Sequence, residues 1–214
     1  MKFQRESGLP YPQPWEWIRD NIFLNKFNGF FVDVGANDGQ TVSNTAFFEL
    51  EYNWKGICIE PHPEAFCRLE KNRQCIKYNC CISDEETILD FLSVTGYAEM
   101  LSGIKSNYDT QHLDRINNEI KKHGGKYSVI KIKSNPLRKI FKENNVNTID
   151  YLSIDTEGSE FQVLKSINFD EILIDVISIE NNYKDDECIN FLKNKNYKRI
   201  ASICGDDIFT RIDL

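Results

Sequence analysis

The sequence predicts an α/β protein built on a mainly parallel sheet, and three observations carry that expectation. Short apolar runs bounded by turn residues alternate with helix-length amphipathic segments. The first such run, "GFFVDVGA" at 29–36, ends in a glycine, the residue that lets a strand turn sharply into a helix. The last two, "YKRIASIC" and "DDIFTRID", flank a "GDD" turn signal and predict a C-terminal antiparallel hairpin.

Taken in order, Pro10, Pro12 and Pro14 mark an irregular lead-in over residues 1–28. It ends in a short amphipathic helix, "WEWIRDNIF", with Trp15, Ile18 and Ile22 on one side. Strand 29–36 follows, then a helix at 43–52 and a second strand, "WKGICIEP" (54–61), stopped by Pro61 and Pro63. A helix at 63–73 carries Pro63 in its first turn, and "IKYNCCIS" (76–83) is a third strand. This β-α-β-α-β order is the signature of parallel strands with crossover helices. A further strand, "ETILDFLSV", spans 86–94. Residues 96–127 are polar and without a sustained apolar period. They read as a long insert, a loop or substrate lid, with one helix around "DTQHLDRINNEIKKH". The α/β rhythm resumes with a strand at 128–134, a helix from Pro136, a strand at 149–158 and a helix at 159–167 placed for Ser159 to cap. A long apolar strand (171–181) and a helix (185–196) with acidic residues at its start complete the pattern. The sum is one Rossmann-like domain over 1–214, with a mainly parallel sheet of about seven strands.

Composition narrows the function classes. The chain has 214 residues, 41% hydrophobic and 12% aromatic, enough to bury a full core. Its net charge of −7 and pI near 5.1 oppose nucleic-acid binding. Seven cysteines include no pair of C-x-x-C motifs, and three histidines are too few for a histidine-rich metal site. The cysteines read as reduced, mostly buried thiols, which implies a cytoplasmic setting. No window has the length of a membrane span, and the N-terminal segment lacks the apolar core of a signal peptide.

Chemistry is expected where strands end. The first turn reads Gly35-Ala36-Asn37-Asp38-Gly39, with Asn37 where a dinucleotide-binding turn carries its middle glycine. An NAD-dependent oxidoreductase therefore ranks low. Glu60 ends the second strand, just before Pro61, at the spacing where a carboxylate accepts the two ribose hydroxyls of an adenosine-containing cofactor. Asp33 lies inside the apolar run, and an unpaired carboxylate has no place in a core strand. The α-amino group of S-adenosylmethionine would give it a partner. That cofactor accounts for Asp33, the missing glycine and Glu60 together. The plainer alternatives are an ordinary glycine turn and a solvated Glu60. Ser43 and Asn44 either bind the cofactor carboxylate or cap the following helix. Cys81 and Ile82, at the end of the third strand, either contact the adenine or belong to the core. Asp155 and Glu157 sit together in "SIDTEGSE", on one face of an extended strand end. They are candidates for the base that takes a proton from the acceptor. With Glu180 or Asn181 from the next strand end they are also candidate ligands of a divalent cation such as Mg²⁺. Two other readings stand: Asp155 orients the methionine moiety, and Glu157 caps a helix. His112 and His123, in the polar insert, read as solvated.

Five stretches in order, "FVDVGANDGQTVSNTAFFE", "WKGICIEPHP", "NCCIS", "LSGI" and "IDYLSIDTEGSEFQVLKSINF", closely resemble the FkbM family of S-adenosylmethionine-dependent methyltransferases. The likeness runs from Gly29 to the closing "DDIFTRI". It implies a class I methyltransferase fold and methyl transfer, usually to a hydroxyl oxygen of sugars, polyketides and similar small metabolites. It also brings Ser102–Ile104 forward as residues near substrate, and the insert as the segment where members vary. A catalytically inactive binding or scaffold protein on the same fold is the alternative.

Overall fold

In the computed structural model, described for residues 3–108, 110–181 and 186–213, the alternation of the sequence becomes two sheets. The larger contains β1 (Phe30–Val34), β2 (Lys55–Ile59), β3 (Ile76–Tyr78), β8 (Thr148–Ile154), β9 (Leu173–Glu180), β10 (Tyr197–Ile203) and β11 (Asp206–Arg211). Its order is β10-β11-β9-β8-β1-β2-β3. β1 pairs in parallel with β2 and β8, and β8 with β9, while β11 runs antiparallel between β9 and β10. The chain order reverses beside β1, so the crevice past the ends of β1 and β8 is the topological switch point.

The central strands are near-continuous apolar runs because both faces are covered. One face packs Val32, Val34, Ile57, Ile59, Leu152 and Ile154 against α5 (Leu137–Glu143) and α6 (Glu160–Lys165). The other packs Phe31, Cys58 and Tyr151 with Trp15 and Ile18 of α1 (Pro14–Asn21) and Phe48 of α2 (Ala46–Tyr52). Between β2 and β3 lies α3 (Pro63–Asn72), with Pro63 in its first turn as expected. The helix α7 (Glu187–Asn194) precedes β10, and its predicted first residue, Asp185, lies outside the described residues.

The strands predicted at 86–94 and 128–134 leave the main sheet. They form β5 (Thr87–Thr95) and β7 (Lys126–Asn135), a long antiparallel ribbon at the centre of a second, four-stranded sheet. Its short members are β4 (Cys81–Ile82) and β6 (Gly103–Ile104), so the predicted strand 76–83 is split between sheets. The insert explains the departure. Its helix, α4 (Thr110–His123), buries Ile116 against Leu92 and Val94 and thereby covers one face of the ribbon. The hairpin turn is Cys204–Gly205, both at positive φ, and the aspartates after it are already strand.

Candidate active site

The turn after β1 lies at the switch point. Gly35 and Ala36 donate to the Ile59 carbonyl at 2.9 and 3.1 Å, and Asp155 donates to the Val34 carbonyl at 2.9 Å, so the ends of β1, β2 and β8 are stitched together. Gly35 has φ +89°, and a Cβ there would overlap the Asp155 carbonyl oxygen. Above these ends opens a cleft whose empty space, open solvent included, is about 720 Å³. It is lined by Gly35 and Asn37 of the turn, Glu60, Pro61 and His62 after β2, Cys81 and Ile82 of β4, Phe91 of β5, Glu99, Met100 and Ser102 to Ile104 of the insert, and Asp155 to Glu157 after β8.

Glu60 lies just past the end of β2. It is buried, and each oxygen accepts one backbone N–H at 2.7 Å, from Asn37 and from His62. Burial pushes its carboxyl up to about 7 against those two bonds. His62 is held in turn: its Nδ1 accepts from Ala65 at 3.3 Å and its Nε2 meets the Ser93 hydroxyl at 2.9 Å. Cys81, Ile82, Phe91 and Ile104 form the apolar wall. Burial raises the Cys81 thiol, which stays neutral.

On the β8 side the lining turns acidic with Asp155 and Glu157, and Glu180 next to them lines a neighbouring pocket that Glu157 shares. Carboxylate oxygens of Asp155, Glu157 and Glu180 all lie within 4.8 Å of one another. β11 adds Asp206, which faces Glu180 across the ladder and accepts from the Asn44 amide at 3.3 Å. Burial, then the charge of Glu180, drives the Asp155 carboxyl well up, and it hydrogen-bonds to Glu180. Glu157 and Glu180 are raised by burial and by their acidic neighbours, and Asp206 reaches about 7 for the same reasons. Arg115 of α4 approaches Glu157 at 3.7 Å. Glu157 sits at φ +53° and does not cap α6; Glu160 instead accepts from Thr156 and Gly158. Ser159 makes no cap hydrogen bond either, and its hydroxyl accepts from Asn107 of the insert at 2.8 Å.

The remaining predicted residues separate from the cavity. Asp33 does not line it: the side chain lies on the Phe31 face and accepts from the Thr45 hydroxyl at 2.6 Å. Burial pushes its carboxyl up, opposed by the nearby Arg73 charge. Asp38 shapes the turn by accepting from Gln40 and Thr41. Gly39 packs under Leu69 and Arg73. Ser43 accepts from Thr45 and Ala46 at the start of α2. Ala36 belongs to the core. Asn181 donates to Asp207 at 3.0 Å. His112 is buried and stacked on Tyr108, a correction to the solvated reading, and His123 stacks on Tyr97. Cys67 and Cys204 are exposed, the other cysteines are buried or half-buried, and all seven are free. Arg73, Thr45, His62, Asp206 and Arg115 carry no local sequence signal. Each reaches its place through a distant segment.

Among the described residues no helix is long and apolar enough to cross a membrane. No curated protein matches the sequence. A solved FkbM methyltransferase from Methylobacillus flagellatus KT superposes with a TM-score of 0.52 at 12% identity, over 92% of this chain and 48% of that one. The chain thus spans about half the length of that protein, and the likeness shows a shared methyltransferase fold. A human methyltransferase 10 domain containing protein matches at 13% identity and TM-score 0.45, over 92% of this chain and 79% of that one. The family model described as the methyltransferase FkbM domain matches residues 33–199, well over half of the sequence. On that match, the chain belongs to the FkbM methyltransferase family.

Proposed function

We propose that the chain transfers the methyl group of S-adenosylmethionine to a hydroxyl oxygen of a sugar, glycan or other small metabolite. The observation that carries this reading is one cavity with Glu60 at one end and Asp155 and Glu157 at the other.

The residues present suit the cofactor. Each Glu60 oxygen accepts a single N–H and keeps a lone pair for a ribose hydroxyl. Cys81, Ile82, Phe91 and Ile104 offer apolar surface for a base. When bound, S-adenosylmethionine supplies a methyl group already activated by its sulfonium. Asp155, when ionised, would orient the acceptor hydroxyl and take its proton. Glu180, hydrogen-bonded to Asp155, would hold that proton in place. The oxygen donors Asp155, Glu157 and Glu180 also suit a hard divalent cation such as Mg²⁺, which would polarise the acceptor oxygen. The net charge of −7 favours an acceptor other than nucleic acid. Seven free cysteines fit a reducing, cytoplasmic setting.

The test is methyl transfer from labelled S-adenosylmethionine to a panel of sugars, glycolipids and lysate metabolites, run beside a thermal shift with S-adenosylhomocysteine. A shift together with labelled product is expected. Neither would leave a binding or scaffold protein on this fold.

A further inference from the structure

Asp33, Thr45 and Arg73 come from three separate elements and meet in a buried chain of polar contacts. Arg73 caps the C-terminal end of α3, and its side chain is 0% exposed. Such a cation is tolerated only where its donors are satisfied and its charge is paired. Its Nη1 donates to the Gly39 carbonyl at 3.1 Å and to the Ser43 hydroxyl at 3.3 Å. Its Nη2 donates to Thr45 Oγ1 at 3.0 Å, and its Nε bonds Glu49. Thr45 passes the link on, donating to Asp33 at 2.6 Å. A neighbouring side chain of α3 adds a further tie, Asn72 donating to the Asp38 carbonyl at 2.8 Å. The segment from Asp38 to Thr45 is thus clamped between α3 and β1, while Gly35 and Asn37 at its other end line the cavity.

We infer that Asp33 serves the cofactor without touching it: through Thr45 and Arg73 it positions the whole glycine turn. The inference rests on the cofactor reading above and changes the role of one residue within it. A carboxylate that bound the cofactor's amino group would matter only to ligands carrying that group. A carboxylate that holds the turn matters to every ligand lying on the turn.

Two probes separate these roles: S-adenosylhomocysteine, which has the amino acid moiety, and 5′-methylthioadenosine, which lacks it. Titration calorimetry on the full chain is expected to show Asp33→Asn weakening both by a similar factor, at least fivefold. Thr45→Val should do the same, and Thr45→Ser, which keeps the hydroxyl, should bind both as the wild type does. Loss confined to S-adenosylhomocysteine in Asp33→Asn would overturn the inference in favour of direct contact, and so would unchanged binding in Thr45→Val. Amide exchange supplies a ligand-free reading that also guards against an unfolded Asp33 variant. Thr45→Val should lose protection at Gly39 to Ala46 while β1 and β8 keep theirs; retained protection there would defeat the tether. If the wild type binds neither nucleoside, the cofactor reading falls and the exchange data alone decide the tether.

Discussion

Glu60 and Glu157 line one cavity, and their surroundings answer burial in opposite ways. Around Glu60 the chain supplies two backbone N–H donors, so the carboxylate is satisfied before any ligand arrives. Around Glu157 it supplies Asp155 and Glu180, and one half-exposed arginine at 3.7 Å. A carboxylate held by donors is pre-organised to accept further hydrogen bonds. Carboxylates facing one another favour taking up a proton or a cation. Under the proposed function the first would be the binding end and the second the reacting end of one cleft, and four experiments press on that assignment.

The largest effect is expected at the reacting end. Asp155→Asn keeps the shape and removes the base, so single-turnover methyl transfer should slow by roughly 10²–10⁴, the usual worth of a positioned acid–base group. Calorimetry should show cofactor affinity nearly unchanged. Affinity and rate falling together would instead assign Asp155 to the binding end.

At the binding end, Glu60→Ala should weaken S-adenosylhomocysteine at least tenfold, since hydrogen bonds to a charged group contribute about 1.5–3 kcal/mol each. Turnover at saturating cofactor should persist. An unaltered dissociation constant would remove Glu60 from the site.

The third experiment is a melting series in pH. An ordinary glutamate carboxyl titrates near 4.5, whereas Glu60 and Asp206 are raised to about 7 and Glu157 and Glu180 are raised as well. Between those values the unfolded chain has released protons that the folded chain retains. Stability should therefore decline as pH rises from about 5 to 8, with each kcal/mol lowering Tm by about 2–4 °C at this chain length. Glu157→Gln should flatten the decline. Mn²⁺ at pH 8 should restore stability in the wild type and do less for Glu180→Gln. A flat profile would mean that the acidic end is not under electrostatic strain.

The smallest effect belongs to Arg115→Ala. Arg115 is half-exposed and lies 3.7 Å from the mostly buried Glu157, beyond hydrogen-bond distance, so the pair is worth about 1 kcal/mol and Tm should move by a few degrees at most. The pH decline should steepen slightly, because the one described counter-charge on Glu157 has gone. A large loss of stability would show that α4 is held by more than its contacts with the ribbon.

The glycine turn, Glu60 and the paired Asp155 and Glu157 were legible in the sequence because their signals are local. Each is a strand end followed by a turn, and the ends of parallel strands lie on one side of a sheet whatever the details of packing. Main-sheet strands were legible for a related reason: runs such as "FFVDV" and "YLSI" have no stable place except a sheet covered on both faces. The second sheet was not. A strand such as "SVIKIKS" alternates equally well at the margin of a main sheet or in a ribbon covered by a helix. Its place in the ribbon goes with long-range packing, of Ile116 on Leu92 and Val94 and of Ile130 and Ile132 with Cys81, Phe91 and Ile104.

The partner of Asp33 was beyond local reading for the same physical reason. A carboxylate inside a core strand demands a counter-group. Whether that group is a ligand's or the chain's own depends on which face of β1 the side chain takes and what covers that face. Alternation along the strand puts Asp33 with Phe31. The return of the chain through α3 then puts Arg73 there, 40 residues downstream. Likewise Asp206 meets Glu180 only because β11 inserts between β9 and β10. Local periodicity dictates which segments are strands and which strand ends carry acids. Long-range packing decides which of those acids face a cavity, a cation or one another.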